Sequence, residues 1–149
     1  MDTAFEGRLW QFTRRMDTVI EDIFLPAISA ENLTVPQARI LFTLCERGET
    51  TVGELSAGIL MNRGNCSTMC KRMEGAGLLA RTRKPQDERV VCLRVTEQGR
   101  AAYERIVQTV RRAQAPAYER MSEQERCSIQ SSMDAIEQLL GRFTRPEGR

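Results

Sequence analysis

The chain has 149 residues, 41% of them hydrophobic and 28% charged, with a net charge of +2. That composition describes one globular domain with a real core, neither a disordered segment nor a run apolar enough to span a membrane. There is no histidine, which excludes histidine-based catalysis and any zinc site that needs an imidazole.

The elements follow in order. Phe5, Leu9, Phe12, Met16, Val19 and Ile23 recur at alternating spacings of four and three, so the first segment, to about Ile28, is a helix with one apolar stripe, and Pro26 falls near its end. Met1 to Trp10 carries acids and no apolar core, so it does not read as a signal peptide and the chain is expected in the cytoplasm. Thr34-Val35-Pro36-Gln37 is a capping box for a second helix with Ile40, Leu41, Leu44 and Cys45 inward, stopped by Gly48. Thr51-Val52-Gly53-Glu54 opens a short third helix to about Leu60. Asn62 caps a fourth, Arg63 to about Gly75, whose inner face is Cys66, Met69, Cys70 and Met73.

The period then changes to two. Val91, Leu93 and Val95 alternate with Val90, Cys92 and Arg94, a strand with one buried face. Leu78 to Arg83 is its hairpin partner, and the polar run Lys84 to Arg89 is the connection. Thr96 caps a fifth helix, which Pro116 is expected to interrupt, and Ser122 to Glu125 caps a last one striped by Ile129, Met133, Ile136, Leu140 and Phe143.

The net charge conceals an asymmetry. Residues 60–94 carry eight basic and three acidic side chains, a net +5 against −3 for the rest. A basic patch confined to one segment is the electrostatic footprint of nucleic-acid binding, with a solvated charged surface as the alternative. The outer face of the fourth helix displays Arg63, Asn65, Ser67, Thr68, Lys71 and Arg72, side chains suited to base edges and phosphates in a major groove. The basic hairpin beside it favours that reading over simple solvation. The fold class is therefore mainly α with a small β-hairpin wing.

The run Gly77-Leu78-Leu79-Ala80-Arg81, Asp87-Glu88-Arg89, Leu93-Arg94-Val95-Thr96-Glu97-Gln98-Gly99 resembles the G-L-x-x-R … D-x-R … L-x-L-T-x-x-G signature of the MarR family of bacterial transcription regulators, with Val95 where leucine is usual. The resemblance covers nearly the whole chain. It implies a winged helix-turn-helix at residues 34–96, flanked by dimerisation helices at 1–30 and 97–145 within a single 1–149 domain. It further implies an obligate homodimer reading a pseudo-palindromic double-stranded DNA operator, in which Arg89 enters the minor groove and Asp87 positions it. Arg83 and Lys84 add phosphate contacts to that wing. The long terminal stripes give the dimer independent support, because a compact winged domain needs no such helices.

Two switches are open. The resemblance implies a small aromatic or apolar effector that releases DNA, with Trp10, Phe12, Phe24, Phe42 and Arg14 or Arg15 as candidate pocket residues; core packing is the plainer role for such aromatics. The rival is a thiol switch at Cys45, Cys66 and Cys70. The five cysteines, completed by Cys92 and Cys127, include no C-x-x-C pair and otherwise read as free thiols packed like small apolar residues. The family's peroxide sensors carry their reactive cysteine in the first helix, and this chain has none before Cys45. A winged helix serving only as a protein-interaction module is the reading of another class. No convergent polar set suggests an enzyme, and no cofactor or metal is expected.

Overall fold

The computed structural model describes residues 3–84 and 87–144, with backbone alone at 84, 87–89, 143 and 144. Helix α1 (Thr3–Val19) runs through a π turn at Ile20–Phe24 into α2 (Leu25–Ala30). The π turn has a local cause: Pro26 lacks an N–H and its ring crowds the carbonyl four residues back, and a widened turn, closed by Leu25 N–H on the Ile20 carbonyl, relieves that crowding. Helix α3 (Val35–Arg47) begins on the expected capping box, the Gln37 side-chain oxygen accepting from Thr34 N–H at 2.8 Å. It ends at Gly48, whose φ of +80° suits glycine.

A two-residue strand, β1 (Thr50–Thr51), precedes α4 (Val52–Gly58) and α5 (Arg63–Gly75). Strands β2 (Leu79–Lys84) and β3 (Asp87–Val95) follow, then α6 (Glu97–Tyr118) and α7 (Glu123–Thr144). The sheet is antiparallel in the order β1-β3-β2, with Thr50 opposite Leu93, Leu79 opposite Val95 and Arg83 opposite Val91. Pairing continues past a bulge to Lys84 opposite Asp87, so the 84–89 connection expected from sequence is mostly strand. Leu93 is buried as expected, but so is Cys92, because its central strand sets Thr51 and Thr82 on either side of it.

Packing divides the chain into two units, residues 1–112 and 113–149. The first holds the core: Ile40, Leu41 and Leu44 of α3, Leu55 of α4, Cys66, Cys70 and Met73 of α5, Leu79 and Leu93 of the sheet, and Ile106 of α6. Glu31 and Arg105 close α2 onto α6 through a two-bond ion pair, 2.8 and 2.7 Å. In the second unit the turn between α6 and α7 is fixed by the Ser122–Glu125 capping box, with Ser122 N–H on the Glu125 carboxylate at 2.8 Å. Contrary to the expectation from sequence, Pro116 does not interrupt α6. It lies near the helix end, forfeits only the bond to the Arg112 carbonyl, and Glu119 N–H still reaches the Ala115 carbonyl at 2.9 Å.

Candidate nucleic-acid interface

Two short helices and a tight turn set the reading head. Thr51 Oγ1 accepts from Glu54 N–H at 3.2 Å while the Glu54 carboxylate accepts from Thr51 N–H at 2.9 Å, which starts α4. The chain leaves α4 through Leu60, exposed and at a φ of +54° that leucine rarely adopts. Asn62 then caps α5, its Oδ1 accepting from Gly64 N–H at 2.9 Å and Asn65 N–H at 3.4 Å.

Helix α5 has a sharp division. Cys66, Cys70 and Met73 are fully buried, which fixes the rotation of the helix. Arg63, Asn65, Thr68, Lys71 and Arg72 are consequently exposed, with Ser67 half-buried. All six predicted recognition residues stand on one helix, away from the core. Five of them border two hollows. Arg63 and Ser67 face a cleft of about 280 Å³ shared with Thr51, Val52, Gly53, Val90 and Val91. Asn65, Thr68 and Arg72 border a groove of about 410 Å³ with Pro36, Met61 and Met69.

The wing stands beside them. Arg83 is exposed on β2. The side chains of Lys84, Asp87 and Arg89 lie outside the described residues, so their proposed roles have only the backbone register behind them. The sequence reading missed Arg81. It is largely buried, its Nη1 lies 3.5 Å from Glu74 Oε2 on α5, and its Nε has no hydrogen-bond partner among the described residues. It ties the wing root to the C-terminal half of α5; its place in the family signature was the one available signal.

The switch candidates separate. Trp10, Phe12 and Arg14 are exposed on α1, whereas Phe24 and Phe42 sit at the core margin, Phe42 edge-on to Tyr103 at 4.8 Å. Phe42 thus has the packing role that was its plainer reading. Burial pushes the Cys66 thiol up, and burial with the neighbouring Cys66 pushes Cys70 up to about 12. Burial also raises half-buried Cys45. All three are protonated near neutrality, and a protonated, enclosed thiol is a poor nucleophile.

A short helix, a tight turn, a helix with a buried inner face and a polar basic outer face, and an adjoining hairpin define a winged helix-turn-helix DNA-binding protein. Residues 33–91 match the MarR family profile. The organic hydroperoxide resistance transcriptional regulator of Bacillus subtilis is 34% identical over 84 residues, 56% of this chain and 57% of that protein. The regulator FarR of Neisseria gonorrhoeae is 31% identical over 119 residues, 80% of this chain and 68% of FarR. The solved structure of a MarR family protein from Bacillus stearothermophilus overlays with a TM-score of 0.79 at 27% identity, covering 95% of this chain and 99% of that one. The chain belongs to the MarR family of transcription regulators. It spans only 57% of the length of the Bacillus subtilis relative. Among the described residues no helix is long and apolar enough to cross a membrane.

Proposed function

We propose that the protein is a homodimeric repressor whose two winged heads read the halves of a pseudo-palindromic operator, and which a small aromatic or apolar effector releases. One observation carries the DNA-reading part: the outer face of α5 gathers Arg63, Asn65, Thr68, Lys71 and Arg72 in the open while Cys66, Cys70 and Met73 anchor its inner face. A helix so mounted presents base-reading and phosphate-binding groups without reorganisation. Exposed Trp10, Phe12 and Arg14 on α1 supply aromatic surface and a cation for an anionic effector; Phe24 and Phe42 would line it only at the core margin. Thiol sensing, the rival switch, has the weaker support here, since Cys45, Cys66 and Cys70 are held protonated.

Selecting duplexes from a random pool and titrating the protein against them tests the reading. A single preferred motif with half-sites about 10 base pairs apart is expected. Affinity should fall with a log–log salt slope of about −0.9 per phosphate contacted. Arg89→Ala should weaken binding several-fold more than Arg100→Ala, a substitution on the exposed surface of α6. Binding indifferent to salt would leave only the protein-interaction module, and equal affinity for the two variants would remove Arg89 from the interface.

A further inference from the structure

We propose that the cleft between α5 and the wing seats the sugar-phosphate strand that divides the major groove from the adjacent minor groove. Arg63 and Ser67 are then its phosphate grip and not base readers. The assignment rests on α5 and the wing being the DNA-reading elements, and it divides the work among their side chains.

Rotation about α5 separates those side chains. Counting about 100° per residue from buried Cys66, Arg63 and Ser67 come about 60° and 100° round on one side, and Arg72 and Asn65 about 120° and 100° on the other. Lys71 and Thr68 stand at the front, about 140° and 160° from Cys66. Side chains at the front meet the floor of a groove. Arg63, set back toward the core, meets its wall, and on this side the wall is the one the wing shares. Arg63 and Ser67 open on a cleft bordered by Val90 and Val91 of β3 and by Val52 and Gly53 of α4. A Cβ on Gly53 would lie 3.9 Å from the Arg63 guanidinium carbon, so the cation stands over the first turn of α4, inside the cleft. The hollow on the opposite flank is bordered by Pro36 and Met61 and by no residue of the wing.

The shape of DNA then names the occupant. A helix in the major groove and a hairpin in the next minor groove have a single sugar-phosphate strand between them, and it must pass through the gap separating the two elements. The lining suits both halves of that strand. The Arg63 guanidinium and the Ser67 hydroxyl are donors for phosphate oxygens, and the methyl groups of Val52, Val90 and Val91 offer an apolar wall to the deoxyribose. The carboxylates of this side are turned to other partners: Glu54 accepts from Thr50 and Thr51, and Glu74 pairs with Arg81. Arg63 has no ion pair among the described residues, so its charge is available to a phosphate.

The experiment walks a single methylphosphonate, a neutral replacement for one phosphodiester, along the selected duplex. Wild type and Arg63→Gln are titrated on each duplex of the walk, on the unmodified one and on a scrambled one, over a salt series, with a thermal melt of each protein. One linkage per half-site, between the bases α5 covers and the groove the wing enters, should weaken wild type about 10-fold when neutralised and leave Arg63→Gln unaffected, because its partner is already gone. Linkages held by other cations should weaken both proteins alike. Arg63→Gln should itself lose about 10-fold per head on both unmodified duplexes, keep the preference between them within about 3-fold, and flatten the log–log salt slope by about 0.9 per head. Arg63→Lys should keep the slope. Ser67→Ala should lose about 3-fold on both duplexes at an unchanged slope, since a hydroxyl releases no counterion. Thr68→Ala, at the front, should do the reverse and narrow the preference about 10-fold. A motif re-selected with Arg63→Gln that differs from the wild-type motif overturns the proposal, as does a walk in which no linkage distinguishes the two proteins. A wild type without sequence preference would instead sink the DNA-reading assignment, and this proposal with it.

Discussion

Thr96 and Gly99 show what individual residues do in this fold. Thr96 Oγ1 donates to the Gly77 carbonyl at 2.6 Å and accepts from Gly99 N–H at 3.0 Å, while Thr96 N–H reaches the Leu78 carbonyl at 3.2 Å. One side chain thus caps α6 and pins it to the turn that starts the wing. Gly99 lets the helix sit directly on the Leu78 carbonyl, in space no Cβ can enter. Gly99→Ala should therefore cost about 3 kcal/mol or more, as overpacking against fixed backbone does, read as a lower midpoint in urea unfolding. A loss under 0.5 kcal/mol would mean that α6 can slide off the wing root. The motif was legible in the sequence as a family signature, but its mechanical role was not. No spacing rule says that residue 99 lies on the backbone of residue 78. The polar face of α5 was legible for the opposite reason: amphipathic periodicity is local, and three buried side chains suffice to orient the helix.

At the scale of elements, what could be read was what a short window encodes. The boxes at Thr34, Thr51 and Ser122 and the cap at Asn62 all start helices as expected, because a cap is a contact between residues two or three apart. Strand β1 was invisible, since two residues have no period and pair only with a strand some forty positions on. The clamp between α2 and α6 was equally hidden, Glu31 and Arg105 being 74 residues apart. Arg105 holds the Glu31 carboxyl below its ordinary value of 4.5. A carboxyl whose folded value is lowered stabilises the fold above its ordinary value, and that contribution is lost as pH falls through the lowered one. Glu31→Gln should accordingly melt below wild type at pH 7, and the two melting curves should converge as the pH is taken well under 4.5. A gap of constant size from neutral to acid pH would show that the variant acts through packing and not through the ion pair. Added salt should narrow the gap as well, because the Arg105 side chain is 57% exposed and its charge is open to screening.

For the whole molecule, the unresolved demand is apolar surface at both chain ends. Helix α1 has no buried residue, yet it displays Trp10, 68% exposed, together with Phe12, Met16 and Val19. Helix α7 independently displays Ile129, Met133 and Leu140. Surface of this kind marks association, and in the proposed homodimer a second copy would supply the self-complementary partner that two-fold symmetry requires. The consequence for DNA binding is quantitative. Two linked heads on a two-part operator make the second contact intramolecular, raising avidity by about 100- to 10,000-fold over one head. Replacing Phe12 and Met16 together by glutamate places charges on the α1 stripe without touching the core, to which α1 contributes no buried side chain. The double variant should sediment as a monomer and keep its helical circular dichroism. It should bind the two-part duplex no better than an isolated half-site, with the steep salt dependence halved because half the phosphates are engaged. The melting temperature of wild type should rise with protein concentration, as a dimer's does, and that of the variant should not. A variant that remains dimeric would move the interface away from the α1 stripe. A monomer with undiminished affinity for the full operator would mean that one head does all the reading, and the pairing of heads would be no part of the mechanism.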